Sequence, residues 1–177
     1  MVPKIGIIYS SVDGQTLKIC KKLIANFKEK QIQTAIYSID EFNAELTQFH
    51  TLIIGASIRY GKHNKKVIKF INNNKNYLSK INTAFFSVNL VARKEDKNSA
   101  NTNPYLIKFL KKVDWNPQYI EVFAGKLDYK SYSFFDKLMI KLIMKLTKGP
   151  TKSNLPIEFT NWKKVDHFGL RIIKNIK

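Results

Sequence analysis

Two rhythms of apolar and polar residues run along this chain. Four continuous apolar runs read as buried strands: Ile5-Gly6-Ile7-Ile8-Tyr9, Thr51-Leu52-Ile53-Ile54-Gly55, Thr83-Ala84-Phe85-Phe86-Ser87-Val88 and Ile120-Glu121-Val122-Phe123-Ala124-Gly125. A fifth, shorter strand is expected over residues 34–38, followed by a polar helix or loop to about residue 48. Between the strands the period lengthens to that of a helix. Leu17, Cys20, Leu23, Ile24 and Phe27 make one apolar face, ending near Lys30. Val67, Ile68, Phe70, Ile71 and Leu78 make a second. Tyr105, Leu106, Phe109 and Leu110 make a third, with Pro104 suited to its first turn. A last helix is expected from about Asn161, with Trp162, Val165, Phe168, Gly169, Ile172, Ile173 and Ile176 inward. Strands alternating with helices predict an α/β fold, a doubly wound parallel sheet in one domain covering residues 1–177.

In such sheets ligands collect at the ends of the strands where the strand order reverses. The first strand stops in Ser10-Ser11-Val12-Asp13-Gly14-Gln15-Thr16 and a helix starts at once. Free backbone N–H groups and a helix dipole aimed at one spot favour a phosphate, and Gly14 lets the backbone approach. A plain capped turn is the alternative. The dinucleotide G-x-G-x-x-G pattern is absent. Loops 56–61 and 89–93 leave the third and fourth strands toward the same edge, and a charged, Asn-rich loop spans 94–102.

One segment departs from the alternation. Residues 131–148, within an insertion of about 127–155, carry Lys137, Lys141, Lys145 and Lys148 in one stripe, on a cylinder otherwise built of Phe, Leu, Met and Ile. The apolar arc is wider than a surface helix needs. At about 1.5 Å per residue the helix is too short to cross a bilayer core of about 30 Å. Phe134, Phe135, Leu138 and Leu142 dipping into a membrane surface, with the lysines snorkelling to anionic headgroups, is one reading. Packing on its own domain or in a dimer contact is the other.

The 177 residues carry a net charge of +18 and hold one cysteine. Cys20 lies on an apolar face and is expected to be buried and inert. The first strand begins almost at the N-terminus, so no secretory signal is expected, and no apolar run is long enough to span a bilayer. The charge admits nucleic acid, anionic lipid or an acidic substrate. Nearly all of it is lysine, since Arg59, Arg93 and Arg171 are the only arginines, and part of it is read as compositional drift. No nucleic-acid motif is present and none is expected as a partner. His50 and His167 share no ligand spacing with carboxylates or with Cys20, and no metal is expected; His63 could assist the site, but as a loop histidine with no partner it is read as solvated.

Four blocks carry a resemblance: Asp13-Gly14-Gln15-Thr16, Gly55-Ala56-Ser57-Ile58-Arg59-Tyr60-Gly61, Ser87-Val88-Asn89-Leu90-Val91-Ala92-Arg93-Lys94, and the run from Phe135 to Lys145. Together, over essentially the whole chain, they resemble the flavodoxin-like, quinone-dependent protoporphyrinogen IX dehydrogenases of bacterial haem synthesis. The first block is common to flavodoxins; the other three are particular to that family. The resemblance implies a flavodoxin-like fold with strand order 2-1-3-4-5, one non-covalent FMN, and peripheral attachment at the cytoplasmic face of the inner membrane. It implies removal of six electrons and six protons from protoporphyrinogen IX, with menaquinone or ubiquinone as acceptor.

By the same resemblance, Ser11, Val12, Asp13, Gly14, Gln15 and Thr16 would surround the FMN phosphate, with Ser10 at the entry. Ser57, Ile58, Arg59, Tyr60 and Gly61, together with Ser87, Val88, Asn89, Leu90 and Val91, would flank the isoalloxazine, with Gly125 nearby. Flavodoxins usually place a threonine at the position of Asp13, whose carboxylate is expected to turn onto backbone N–H groups as a cap. Arg59, Lys62, Arg93 and Lys94 are the candidates for gripping the substrate propionates, the arginines first because a guanidinium binds a carboxylate bidentately. No residue stands out as proton acceptor. A flavodoxin-type electron carrier and an NAD(P)H:quinone oxidoreductase are the rival readings, and a homo-oligomer is left open.

Overall fold

The computed structural model describes residues 4–174, so Ile176, expected inward on the last helix, lies outside the described residues. In chain order the elements are β1 (Lys4–Ser10), α1 (Gln15–Glu29), β2 (Gln33–Ser38), β3 (Thr51–Arg59), β4 (Lys62–His63), α2 (Lys65–Asn73), α3 (Lys75–Leu78) and β5 (Asn82–Asn89). They continue with α4 (Pro104–Val113), β6 (Tyr119–Ala124), β7 (Lys126–Leu127), α5 (Phe134–Leu146), β8 (Ile157–Glu158) and α6 (Trp162–Ile173). Short 3-10 turns cover Leu46–Gln48, Leu90–Arg93 and Glu95–Lys97.

The long strands are parallel and run in the order β2-β1-β3-β5-β6, with β4 hanging on β3. Without that two-residue strand this is the order 2-1-3-4-5 that the resemblance implies. Strand pleating sends alternate residues to opposite faces. Ile8, Ile54, Phe85 and Val122 meet Val67 and Ile71 of α2 and Leu106, Phe109 and Val113 of α4. Ile7, Ile53, Phe86 and Phe123 meet Ile19, Leu23 and Phe27 of α1 and Val165, Phe168 and Ile172 of α6. Cys20 is buried in this second layer, where burial pushes its thiol pKa up, so it remains protonated. Gly55 is required by packing: a Cβ there would stand 2.2 Å from Cζ of the buried Phe86.

Two local expectations are corrected. Residues 56–61 are not a loop leaving β3. The strand continues to Arg59 and folds back into β4, pairing Arg59 with Lys62 and Ile58 with His63. Tyr60 and Gly61 form the corner, both with positive φ (49° and 73°), as a two-residue hairpin demands. The tyrosine hides this hairpin from sequence reading, because Asn or Asp is the usual partner of the glycine. The helix after it is also two pieces, α2 and α3, broken at Asn74.

The insertion stands on a small antiparallel pair, β7 with β8, joining Lys126 to Glu158 and Leu127 to Ile157. Its interior is a third apolar cluster of Leu127, Tyr129, Tyr132 and Met144, against which Ile140 and Ile143 of α5 pack. Among the described residues, no helix is long and apolar enough to cross a membrane.

Candidate active site

The C-terminal ends of β1, β3, β5 and β6 surround one cleft. It is lined by Ser11, Asp13, Gln15 and Thr16 after β1, by residues 57–61 of the hairpin, by residues 88–91 at the end of β5, and by Gly125. The insertion roofs it with Tyr132, Asp136, Met139, Ile140 and Ile143. Beneath α5 the enclosed space is narrow, about 90 Å³.

At the β1 end the cleft holds an unfinished helix terminus. Gly14 is the N-cap of α1, left-handed at φ 79°, and no side chain caps the first turn. Nothing stands within 4 Å of where its Cβ would be. Ser11 Oγ and Thr16 Oγ1 are buried without a hydrogen-bond partner. Buried hydroxyls in folded proteins are nearly always paired, so two orphans beside an uncapped helix start form a donor set that lacks its acceptor. Gln15 is already engaged, its amide donating to Thr160 Oγ1 at 2.8 Å.

Asp13 does not cap the turn, contrary to expectation. Its carboxylate receives Arg59 Nη1 at 3.1–3.2 Å. Arg59 reaches onward through Nη2 to Asp136 of α5 at 2.5 Å. The Tyr60 hydroxyl donates to the same carboxylate at 2.5 Å, and Ser133, the N-cap of α5, does so at 2.7 Å. One network therefore ties the turn after β1, the β3–β4 hairpin and the start of α5. Burial raises the Asp13 pKa, with Arg59 opposing. The hydrogen bonds from Tyr60 and Ser133 hold the Asp136 carboxyl below its usual range. Arg59 is thus closed to a bidentate grip on substrate by the two carboxylates it already holds.

Other predicted site residues are placed elsewhere. The Ser10 hydroxyl accepts from Asn64 Nδ2 at 3.0 Å and faces away from the cleft. Ser87 is fully buried beneath the sheet edge, 2.9 Å from His63 Nε2, and His63 is thus a buried, paired strand residue rather than the solvated loop histidine expected. Val88 and Ser87 point to opposite faces of the sheet, and it is Val88 that lines the cleft. Arg93 does not present itself to substrate: its guanidinium donates to Leu90 O at 2.9 Å and to Thr147 O and Oγ1 at 2.9 and 2.8 Å. Lys94 lines neither this cleft nor the hollow beside it. Val12 and Lys62 line only that second hollow.

Asp136 and Arg93 are the residues whose roles sequence reading missed. A Ser-x-x-Asp pattern opening α5 was the available signal for the first; nothing local signals the second.

Comparison with known proteins follows the same lines. A model of the flavodoxin domain matches residues 6–154. The protoporphyrinogen IX dehydrogenase [quinone] of Leishmania major is 40% identical over 168 residues, covering 94% of this chain and 73% of that protein. The Escherichia coli (strain K12) protein of the same name is 37% identical over 167 residues, covering 94% and 92%. This chain belongs to the protoporphyrinogen IX dehydrogenase [quinone] family. It is therefore an oxidoreductase of the flavodoxin-like class. The fold agrees: oxidised flavodoxins 2 and 1 from Bacillus cereus superpose with TM-scores of 0.58 and 0.56, each at 14% identity, covering 98% of this chain and 99% of theirs.

In this dehydrogenase-family chain α5 presents a bare apolar flank. Phe134 and Phe135 are 77% and 74% exposed, and Leu138, Leu142 and Leu146 lie open beside them. Lys141 and Lys145 are exposed on the same helix, and Lys137 is half-buried. The outward side of α5 is thus both apolar and basic, while its inward side roofs the cleft.

Proposed function

We propose that this chain binds FMN and oxidises protoporphyrinogen IX to protoporphyrin IX, passing the electrons to a membrane quinone, menaquinone or ubiquinone. The observation that carries the reading is the pair of orphaned buried hydroxyls, Ser11 Oγ and Thr16 Oγ1, at an uncapped helix start, in a chain of this family. A phosphate monoester supplies the acceptors these groups lack and takes the charge the helix end favours. The donor set fits FMN. The cleft behind it is narrow under α5, about 90 Å³, so it is the donor set and not the enclosed volume that supports FMN.

When bound, the flavin supplies the redox chemistry, taking electrons from substrate and releasing them to quinone. The protein's part is placement. Ser11, Thr16 and the N–H groups after Gly14 hold the phosphate. Ile58, Tyr60 and Gly61 on one side, with Val88, Asn89, Leu90 and Val91 on the other, form the walls for the ring, and Gly125 leaves room beside it. Met139, Ile140 and Ile143 exclude water from above. Arg59 keeps Asp13 from confronting the phosphate as a bare carboxylate. We read residues 1–177 as one domain with residues 127–155 inserted. The exposed face of α5 then rests on an anionic bilayer at the cytoplasmic side of the inner membrane, where the quinone resides.

The test is direct. The purified chain should be yellow or take up FMN. Mixed anaerobically with protoporphyrinogen IX and a quinone, it should generate porphyrin fluorescence that neither component yields alone. A colourless protein that refuses flavin would end this reading. Fast oxidation of NAD(P)H, without porphyrinogen turnover, would replace it with an NAD(P)H:quinone oxidoreductase.

A further inference from the structure

Beside the cleft, across the β3–β4 hairpin, lies a second and roomier hollow of about 550 Å³. That volume falls in the range of small-molecule sites, about 300–1,000 Å³. Its apolar surface comes from Ile68 of α2, Phe109 and Tyr105 of α4, and Tyr60. Lys62, Lys65, Lys108 and Lys112 stand around it, and no aspartate or glutamate lines it. None of the four makes an ion pair among the described residues, whereas Lys66, next along the chain, is paired with Asp40. Lys108 and Lys112 are one helical turn apart on α4 and share a face. All four lysines are exposed, so solvent screens most of their mutual repulsion, and an anion entering the hollow relieves the rest while meeting a wholly basic rim. His63, which also lines the hollow, adds no charge: burial lowers its pKa to about 3.

We infer that this hollow is the porphyrin subsite, where a flat, largely apolar macrocycle lies against Tyr60, Tyr105 and Phe109 and its two carboxylates are held by Lys62 and Lys65 on one wall and Lys108 and Lys112 on the other. The assignment rests on the function proposed above. It replaces the arginines in the anchoring role, since Arg59 and Arg93 are held by other groups. Ser57, Tyr60, Gly61 and Tyr105 line both hollows, so the macrocycle and the flavin ring meet along one rim. That arrangement leaves the roofed, lipid-facing side under α5 to the quinone.

The test uses the flavin-loaded protein and two probes, protoporphyrin IX and its dimethyl ester, which keeps the ring and lacks both charges. Binding is read from porphyrin fluorescence in dilute detergent. The free acid should bind more tightly than the ester, and more weakly as salt rises. Lys108→Gln/Lys112→Gln should weaken the acid about 5- to 30-fold, the sum of two partly exposed charge pairs, and leave the ester unchanged. Lys62→Gln/Lys65→Gln should do the same from the opposite wall. Lys111→Gln, outside the hollow, should do nothing. Unaltered flavin affinity in each variant certifies the fold. Equal affinity of acid and ester for the parent, no binding of the acid at all, or lysine variants that bind the acid like the parent, each overturns the subsite. NADPH displacing the porphyrin acid from the parent but not affecting the variants does so too. Failure here with normal porphyrinogen turnover would leave the proposed function standing. Lysine-dependent porphyrin binding in a protein with no turnover would do the reverse.

Discussion

Replacing Thr16 by valine tests the phosphate turn with two readouts of opposite sign. Thr16 is fully buried in the first turn of α1, and its Oγ1 has no partner. Valine keeps the shape and the branched Cβ, with nearly equal helix propensity. In the flavin-free protein the threonine hydroxyl is desolvated without compensation, a cost of about 1–3 kcal/mol, so Thr16→Val should stabilise that form by up to this amount. For a chain of this length each kcal/mol raises Tm by about 2–4 °C. In the flavin-bound protein the same hydroxyl donates to a charged phosphate, a bond of about 1.5–3 kcal/mol. The FMN Kd should therefore rise about 10- to 150-fold. Flavin fluorescence quenching gives the affinity and a thermal melt of the stripped protein gives the stability. A variant that melts lower and binds FMN as before would show Thr16 to be a structural hydroxyl, and the phosphate assignment would fall with it.

Two further outcomes follow from residues outside that turn. His63 is held neutral by burial, its pKa lowered to about 3, while in the unfolded chain it takes a proton near pH 6.5. The unfolded state thus binds more protons between those values, so this contribution to stability is complete above about pH 6.5 and declines as pH falls toward 3. The decline amounts to about 2 kcal/mol by pH 5. Denaturant unfolding at pH 7 and pH 5 should show it in the parent and not in His63→Gln; parallel losses in both would refute the assignment. On α5, Phe134→Ser/Phe135→Ser/Leu138→Ser removes three exposed apolar side chains, and half-insertion of each corresponds to about 3 kcal/mol in all. Sedimentation with anionic vesicles should weaken roughly 100-fold, and unchanged partitioning would show that this face meets something other than lipid.

The sheet was legible because its strands are continuous apolar runs and its helices keep a 3.6-residue rhythm, both local signals. The glycine and hydroxyl cluster after β1 was legible for the same reason. What escaped depends on partners far away in sequence. Asp13 finds Arg59 across 46 positions, and Arg93 finds Thr147 across 54. A carboxylate beside a helix start reads as a cap until such a partner is known. An arginine in a site loop reads as a substrate anchor in the same way. The β3–β4 corner escaped because Tyr60 adopts a backbone conformation that sequence reading reserves for glycine or asparagine. The four lysines of the second hollow come from three separate elements in a chain full of lysine, so no single window sets them apart.

The insertion is fastened at two points, and the choice of points matters. Asp136, in the first turn of α5, is bound to Arg59 and Tyr60. Thr147, which follows its last turn, is bound to Arg93. Those partners belong to the two opposite walls of the cleft. A helix anchored in this way is a tie-bar, joining the two walls to each other as well as to itself. The insertion therefore braces the chamber underneath, holding one wall against the other through its own length.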